Sequence, residues 1–259
     1  EGDPADFIRV ADLSSFRVLE TWLDGQKVAE NGRSLLPRLT STAPNRFLAR
    51  PKKSIDFRAF SSQAVTQSHH LTNTRIIEAL DGQIVTGSAL EKLPISDGWI
   101  LSEPHRDLLK ISVINRYKPD TKPAVGFVRG FGLRRGALAS SVAHDSHNIV
   151  AVGTDDAALA IAVNAVIEAK GGISATDGTG NTRVLPLPIA GLMSQSDGYA
   201  LAQEYSGLDA WTKATLGCLL HAPFMVLSFL ALPVIPKLKI TDLGLFDVEQ
   251  FGFVPLEMP

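Results

Sequence analysis

The chain has 259 residues, of which 45% are hydrophobic and 20% are charged, a composition typical of a soluble globular protein with a sizeable core. Its 25 basic and 27 acidic residues leave a net charge of −2. The chain therefore lacks the excess of basic residues that would indicate binding to nucleic acid or to an anionic membrane surface. The single cysteine, Cys218, excludes an internal disulfide and a thiolate metal cluster and agrees with a reducing cytosol, so we expect a cytoplasmic protein.

No segment of the sequence has the pattern of a signal peptide or a membrane span. The start, EGDPADF, lacks both a basic region and an apolar region, so we expect no leader there. The most apolar run, residues 224–235, ends beside prolines and is much shorter than the roughly 20 residues that a spanning helix needs. The first residue is not Met, which is compatible with a piece of a longer protein.

The N-terminal part predicts a small β-segment followed by a linker. Residues 7–10 and 16–23 alternate between apolar and polar side chains, and Asp24-Gly25 is a strong signal for a two-residue hairpin. So small a set of strands is not stable alone and should pack on another element. Residues 30–52 are rich in Pro, Ser, Thr, Asn and Arg and predict a connector with one short helical turn.

From residue 54 onward the sequence predicts a succession of short strands. Asp81-Gly82 is expected to join one pair of strands, and the glycine-rich segment GFGLRRG at 130–136 to join another. The strand-like runs are IDFRAF, RIIEAL, QIVTGSA, LLKISVINRY, AVGFVRG, GALASSVA and NIVAVG.

One helix follows the last of these strands. Thr154 or Asp155 can accept hydrogen bonds from the amides of its first turn, and acidic residues suit the positive end of a helix. Gly171 and Gly172 are expected to end it. Its apolar face, at helical spacing, consists of Leu159, Ala162, Val163, Val166 and Ile167.

The remaining sequence completes the fold prediction. Residues 172–188 predict a hairpin, residues 196–218 a helical pair broken near Gly207, and the C-terminal third apolar strands punctuated by prolines. Because strands run together and helices are few, we expect an α+β fold with a mixed or antiparallel sheet. We place a domain boundary at residue 50, with a β-segment and linker over 1–50 and an α+β domain over 51–259.

A polar cluster lies between two of the apolar strands. His144, Asp145, His147 and Asn148 fall within five positions between GALASSVA and NIVAVG, at a strand connection, where sites often lie. Imidazoles three residues apart can converge on one ion or substrate, so His144 and His147 are candidate metal ligands. Asp145 could fix a ring tautomer, and Asn148 could pair with a purine edge. The alternative is that Asp145 and Asn148 make turn hydrogen bonds while the histidines are either hydrogen-bonded within the fold or exposed to solvent.

The other candidate residues favour structural interpretations. Glu103 to Asp107 predicts a solvated loop with a local ion pair, and His69-His70 a polar loop. His221 lies near Cys218 and apolar residues, which favours a core or interface histidine. Arg134 and Arg135 could face an anion, but solvated turn arginines are the simpler interpretation. The sequence contains no GxSxG, Walker loop, HExxH, CxxC or HxH motif.

The long motifs of the second half resemble the C-terminal domain of bacterial adenine deaminases, members of the metal-dependent amidohydrolase superfamily. The resemblance is carried by AVGFVRGFGLRRGALASSVAHDSHNIVAVG, LPLPIAGLMS and PFMVLSFLALPVIPKLKITDLGLFDV. Residues 3–28 resemble the closing strands of the small amidohydrolase β-domain. Tyr117 stands where the family pattern leads us to expect a histidine.

The resemblance implies hydrolysis of adenine to hypoxanthine and ammonia by a metal-bound water. The metal, Mn²⁺ or Fe²⁺ with Zn²⁺ as an alternative, would be held mainly by an upstream (β/α)₈ barrel that this chain lacks. This chain alone would then be catalytically incomplete. Its expected partners are that barrel, adenine and further copies of itself, and His144 to Asn148 would line the purine site.

Two other functions remain open on the sequence alone. The chain could be an accessory domain of another amidohydrolase that acts on a cyclic amidine or amide. It could also be a non-catalytic binding or assembly module with residues 224–235 in its core or interface, because fold similarity does not establish function.

Overall fold

A computed structural model of the chain describes residues 2–37, 42–62 and 71–258. The chain divides into two compact units, one up to residue 41 and one from residue 42 onward. Strands dominate both units, and the described residues contain three α-helices, all in the second unit. The α+β prediction is therefore confirmed.

The first unit is an antiparallel sheet of four strands in the order β1-β2-β3-β4. Asp24 and Gly25 both have positive φ, 48° and 70°, as the predicted two-residue hairpin between β2 and β3 requires. The connector contains β4 and, in its described residues, no helical turn; a 3₁₀ turn follows at Ser54–Phe57. The strands are β1 (Phe7–Val10), β2 (Val18–Leu23), β3 (Gln26–Glu30) and β4 (Arg33–Ser34).

This first sheet has no core of its own. None of the residues between 2 and 37 is buried, and large apolar side chains such as Leu13, Phe16 and Phe7 are 85%, 57% and 51% exposed. A small sheet without a buried face gains too little apolar burial to be stable alone.

The second unit is built on an eleven-stranded sheet in the order β14-β13-β11-β12-β9-β10-β6-β7-β8-β5, with β18 paired to β6. Among the strand pairs of the described residues in this sheet, only β10–β6 is parallel, which confirms the mixed sheet. The strands are β5 (Ala59–Phe60), β6 (Leu71–Ala79), β7 (Thr86–Ser96), β8 (Trp99–Ile100), β9 (Leu109–Ile114), β10 (Ala124–Arg129), β11 (Ala137–Ser140), β12 (Ile149–Gly153), β13 (Gly172–Thr176), β14 (Thr182–Pro186) and β18 (Glu257–Met258).

Helices cover both faces of this sheet. Helix α1 (Asp156–Glu168) packs on β11, β12 and β13, while α2 (Gly198–Leu216) and α3 (Pro223–Phe229) pack on β13, β14, β11 and β12. Ala137 and Ala139 face the core under α1, and Leu138 faces the core under α2 and α3. Because the central strands are buried on both faces, their sequences are nearly continuous apolar runs.

Helix α1 matches its prediction. Asp155 is the N-cap and accepts hydrogen bonds from the amides of Ala157 and Ala158, and the five predicted apolar residues are all buried. The helix ends before Gly171 and Gly172, whose φ values of 118° and 144° suit glycine.

Three predictions about local structure are wrong. Residues 198–216 form one helix, because a single glycine costs a helix only about 1 kcal/mol and Leu208, Thr212 and Leu216 form one buried stripe. Residues 223–229 form α3, since Pro223 suits the first helical position and a short apolar run does not distinguish strand from helix. The strands flanking GFGLRRG, β10 and β11, are not paired, because β9 and β12 lie between them.

A small third sheet completes the second unit. It is antiparallel, in the order β15-β16-β17, and packs against β6, β7, β9 and β10. Its strands are β15 (Leu238–Thr241), β16 (Gly244–Asp247) and β17 (Gly252–Phe253). Within the described part of the chain, none of the helices has both the length and the hydrophobicity of a membrane span.

Candidate functional site

The polar cluster lies in the connection between β11 and β12, as the sequence predicts. This loop, residues 141–148, leaves the sheet at the edge where β9 also ends, because Ile149 pairs with Ile114. The residues that follow β9, Asn115 to Tyr117, therefore lie beside the loop. The turn at 189–193 approaches the same edge, where the carbonyl of Gly191 accepts a hydrogen bond from Ser141 Oγ at 2.6 Å.

The two histidines are half-buried and face each other. Their ring centroids are 5.6 Å apart with an interplanar angle of 65°, and the ring of His144 packs on Phe229 at 4.8 Å. Backbone hydrogen bonds hold both residues: His144 N donates to Ser228 O at 3.0 Å and His147 N donates to Ala143 O at 2.7 Å. The loop thus brings the two imidazoles together.

The other two predicted residues differ in exposure. Asp145 is exposed, so its carboxylate is accessible from outside this unit. Asn148 is only 3% exposed, and its Oδ1 accepts a hydrogen bond from the backbone amide of Arg116 at 3.2 Å. Asn148 therefore ties the loop to the end of β9, a long-range contact and not the turn hydrogen bond raised as its alternative.

Arg116 is central to this edge, although no motif in the sequence indicates it. Its side chain is buried, with Nη1 donating to Ala190 O at 2.7 Å and Nη2 donating to the Tyr117 hydroxyl at 2.9 Å. The Tyr117 hydroxyl in turn donates to Ser146 O at 2.8 Å. The sequence gives only a weak indication that Arg116 belongs to the site. Polar residues directly follow a buried strand that ends beside the histidine loop.

The environment of His147 favours the neutral ring. Burial, the positive charge of His144 when protonated, and Arg116 together lower the pKa of His147, whereas Asp145 opposes the shift. Its Nδ1 atom is buried and has no hydrogen-bond partner within the described part of the chain. A neutral imidazole can accept a hydrogen bond or bind a metal ion.

The described residues do not make a complete metal site. Among residues 2–37, 42–62 and 71–258, no group of three or more His, Cys, Asp or Glu side chains could hold a metal ion. Catalytic zinc sites, for comparison, use three protein ligands and keep one position open. His144 and His147 could supply at most two ligands, so the metal that the resemblance implies does not fit these residues alone.

The second charged cluster is a solvated loop with an ion pair, which confirms its prediction. Arg106 pairs with Glu103 at 2.6 Å and with Glu91 at 2.8 Å. The carboxylate of Asp107 accepts hydrogen bonds from the amides of Gly130 and Gly132 at 2.6 and 2.7 Å. This loop lies at the start of β9, whereas the histidine loop lies beside its end.

The remaining described candidates are a buried thiol, an exposed imidazole and two exposed arginines. Cys218 is buried, and burial raises the pKa of its thiol to about 11. His221 is not a core residue, because its side chain is 93% exposed and contacts Asp81. Arg134 and Arg135 are exposed, as predicted. His69-His70 lies outside the described residues.

Comparison with known proteins identifies the family. Residues 83–252 match the adenine deaminase C-terminal domain. The chain is 51% identical over 98% of its length to an adenine deaminase of Salinibacter ruber, 48% identical over 98% to one of Sulfurovum sp., and 46% identical over 99% to one of Methanosarcina acetivorans. It spans only 45%, 44% and 46% of the length of these relatives. The chain therefore belongs to the adenine deaminase C-terminal domain family.

Proposed function

We propose that this chain is the C-terminal part of a metal-dependent adenine deaminase that converts adenine and water to hypoxanthine and ammonia. The observation that carries this proposal is the 51% identity, over 98% of the chain, to a protein named adenine deaminase. Because the chain spans less than half of that relative, we assign the complete activity to the longer protein. An amidohydrolase barrel would occupy the upstream part.

The edge formed by the histidine loop is the part of this chain that best suits a purine site. It offers two adjacent imidazoles, an exposed carboxylate at Asp145, and a ring surface where His144 meets Phe229. Flat aromatic surfaces and hydrogen-bonding groups are what a purine needs for stacking and edge recognition. We propose that His144, Asp145 and His147 face the active site of the barrel while Asn148 supports the loop from within.

The metal ion would be held mainly by the upstream barrel. Mn²⁺ or Fe²⁺ is proposed, with Zn²⁺ as an alternative, and His144 and His147 could add ligands but do not complete a site. When bound, such an ion lowers the pKa of a water molecule and so supplies the nucleophile. The role proposed for this chain is to shape the purine site.

The first unit is proposed to complete the small β-domain of the amidohydrolase. Its four strands bury no residue between 2 and 37, so they need a covering surface. Strands from the upstream part would supply it. Hydrogen exchange tests this: amides of β1 to β3 should exchange fast in this chain alone and become protected in the complete protein. Equal exchange in both would contradict the proposal.

Activity measurements test the main proposal. Adenine loss and ammonia release would be followed with Mn²⁺ or Fe²⁺ supplied, for this chain alone and for the complete gene product. We expect activity only in the complete product. Activity in the chain alone would move the metal site to His144 and His147, and inactivity of both would favour another amidohydrolase substrate or a binding module.

Substitutions test the site itself in the complete protein. His144→Ala and His147→Ala should each lower kcat/KM for adenine by at least tenfold. His105→Ala is the matched control, because it removes an imidazole that is 73% exposed from a loop at the other end of β9. Unchanged kinetics in both loop variants would refute the assignment of this loop.

We further propose that the complete protein is cytoplasmic and assembles from several copies. A purine-salvage enzyme with a single buried cysteine suits the cytoplasm, and we propose a homo-oligomer. Light scattering on the complete protein would measure its mass, and a monomer would refute the assembly.

A further inference from the structure

We infer that Arg116 and Tyr117 are positioning residues that hold the histidine loop in the shape in which it meets adenine. The inference rests on the proposed function, because it takes this loop as part of the purine site. Neither residue is proposed to touch the reacting atoms. Their effect passes through the backbone and side chains of the loop.

The pair contacts the loop at two separate points. The backbone amide of Arg116 donates to Asn148 Oδ1 at 3.2 Å, which fixes the point where the loop enters β12. The Tyr117 hydroxyl donates to Ser146 O at 2.8 Å, which fixes the exposed part between the two histidines. Because His147 lies between these two points, both bonds restrict where its ring can lie.

The pair is itself held by contacts with two other segments of the unit. Arg116 O accepts hydrogen bonds from the amides of Leu48 and Ala49 at 2.7 and 3.1 Å, and Arg116 Nη1 donates to Ala190 O at 2.7 Å. The guanidinium lies 5.5 Å from the centre of the Phe47 ring. The loop is therefore connected through one arginine to two other segments of the chain.

The burial of Arg116 is energetically unfavourable if its role is only to stabilise the fold. It is 4% exposed, its Nε has no hydrogen-bond partner, and it has no carboxylate partner within the described residues. Burying a guanidinium without a counter-charge costs free energy that an apolar side chain of similar size would not. An apolar side chain cannot supply the two N–H donors of the guanidinium, one of which binds Ala190 O while the other binds the Tyr117 hydroxyl.

Lysine cannot supply these two hydrogen bonds together. A guanidinium presents its donors in a rigid plane, whereas an ammonium is a point charge on a flexible stem. Arg116→Lys therefore keeps the charge and loses the simultaneous contacts to Ala190 O and Tyr117 Oη. Tyr117→Phe keeps the ring and loses only the hydroxyl, which accepts from Arg116 and donates to Ser146.

Kinetics of the complete protein test the inference. Tyr117→Phe should raise KM for adenine about tenfold and leave kcat within twofold, because a misplaced loop weakens substrate binding. Arg116→Lys should do the same. Tyr205→Phe, which removes a hydroxyl from a half-buried tyrosine on α2, should leave both constants unchanged. A purely structural defect lowers the active fraction and hence the apparent kcat, while KM stays the same.

Three results separate the inference from the function on which it rests. A tenfold rise of KM in Tyr117→Phe and Arg116→Lys supports it. Unchanged KM in both, together with a loss of activity in His147→Ala, overturns the positioning role and leaves the proposed function standing. Unchanged kinetics in His144→Ala and His147→Ala overturns the site assignment and the positioning role together.

Discussion

Lys239 is a buried lysine whose removal should change how stability depends on pH. It lies in β15 with 0% exposure, and its Nζ donates to Ile84 O at 2.9 Å and to Phe229 O at 3.1 Å. Burial lowers the pKa of Lys239 to about 8, from an ordinary value of 10.5, because the charged form loses its hydration. The two carbonyls favour the charged form and partly offset this cost.

The size and the sign of the effect of pH on the free energy of unfolding follow from this pKa. The lowering of the pKa from 10.5 to about 8 corresponds to about 3 kcal/mol. Below pH 8 Lys239 is protonated in both states and the folded state carries the full penalty. Between pH 8 and 10.5 the unfolded state keeps the proton and the folded state releases it, so the contribution to stability rises with pH.

Urea unfolding of the wild type and Lys239→Met at pH 7.5, 9 and 10 measures this effect. The free energy of unfolding of the wild type should gain up to about 2 kcal/mol relative to the variant between pH 7.5 and 10. Lys237→Met, which removes a lysine that is 56% exposed, controls for the change in net charge. Parallel pH curves for the wild type and Lys239→Met would refute the argument from burial.

Three further substitutions or reactions test other parts of the structure. Asp155→Ala removes the cap of α1 and should lower the free energy of unfolding by about 1 kcal/mol, with an unchanged urea slope. The thiol of Cys218, whose pKa is raised to about 11, should not react with a thiol reagent at pH 8 until the chain is unfolded in urea. Gly191→Ala places a Cβ 2.0 Å from Arg116 Nη1 at φ +70°, so it should lower the midpoint of thermal unfolding. Gly82→Ala, whose φ of +68° nearly equals that of Gly191 and whose Cβ would meet no atom within 4 Å, measures the backbone strain alone, and an equal loss in both variants would contradict the collision.

Local signals in the sequence predicted much of the fold because they act over a few residues. The Asp24-Gly25 hairpin and the cap at Asp155 depend on turn geometry and on amides two or three positions away. The prediction failed where tertiary packing decides between two local options. Pro223 begins a helix, although the apolar run after it suits a strand equally. Gly207 lies inside a helix because the buried residues of that helix stabilise it.

The site was predictable only as far as its residues are neighbours in sequence. His144 and His147 share one short loop, so their spacing alone indicates that they can converge. Arg116 lies 32 positions before Asn148, and only the register of β9 with β12 brings the two together. That register follows from which strands share a sheet, and the sequence predicted strands without their order. A buried arginine also resembles an exposed one in sequence, since its burial depends on the segments at 47–49 and 189–193. A residue that positions a loop is therefore identified by its contacts, and the Arg116→Lys kinetics test the least local of its side-chain contacts, the hydrogen bond to Ala190 O, 74 positions away.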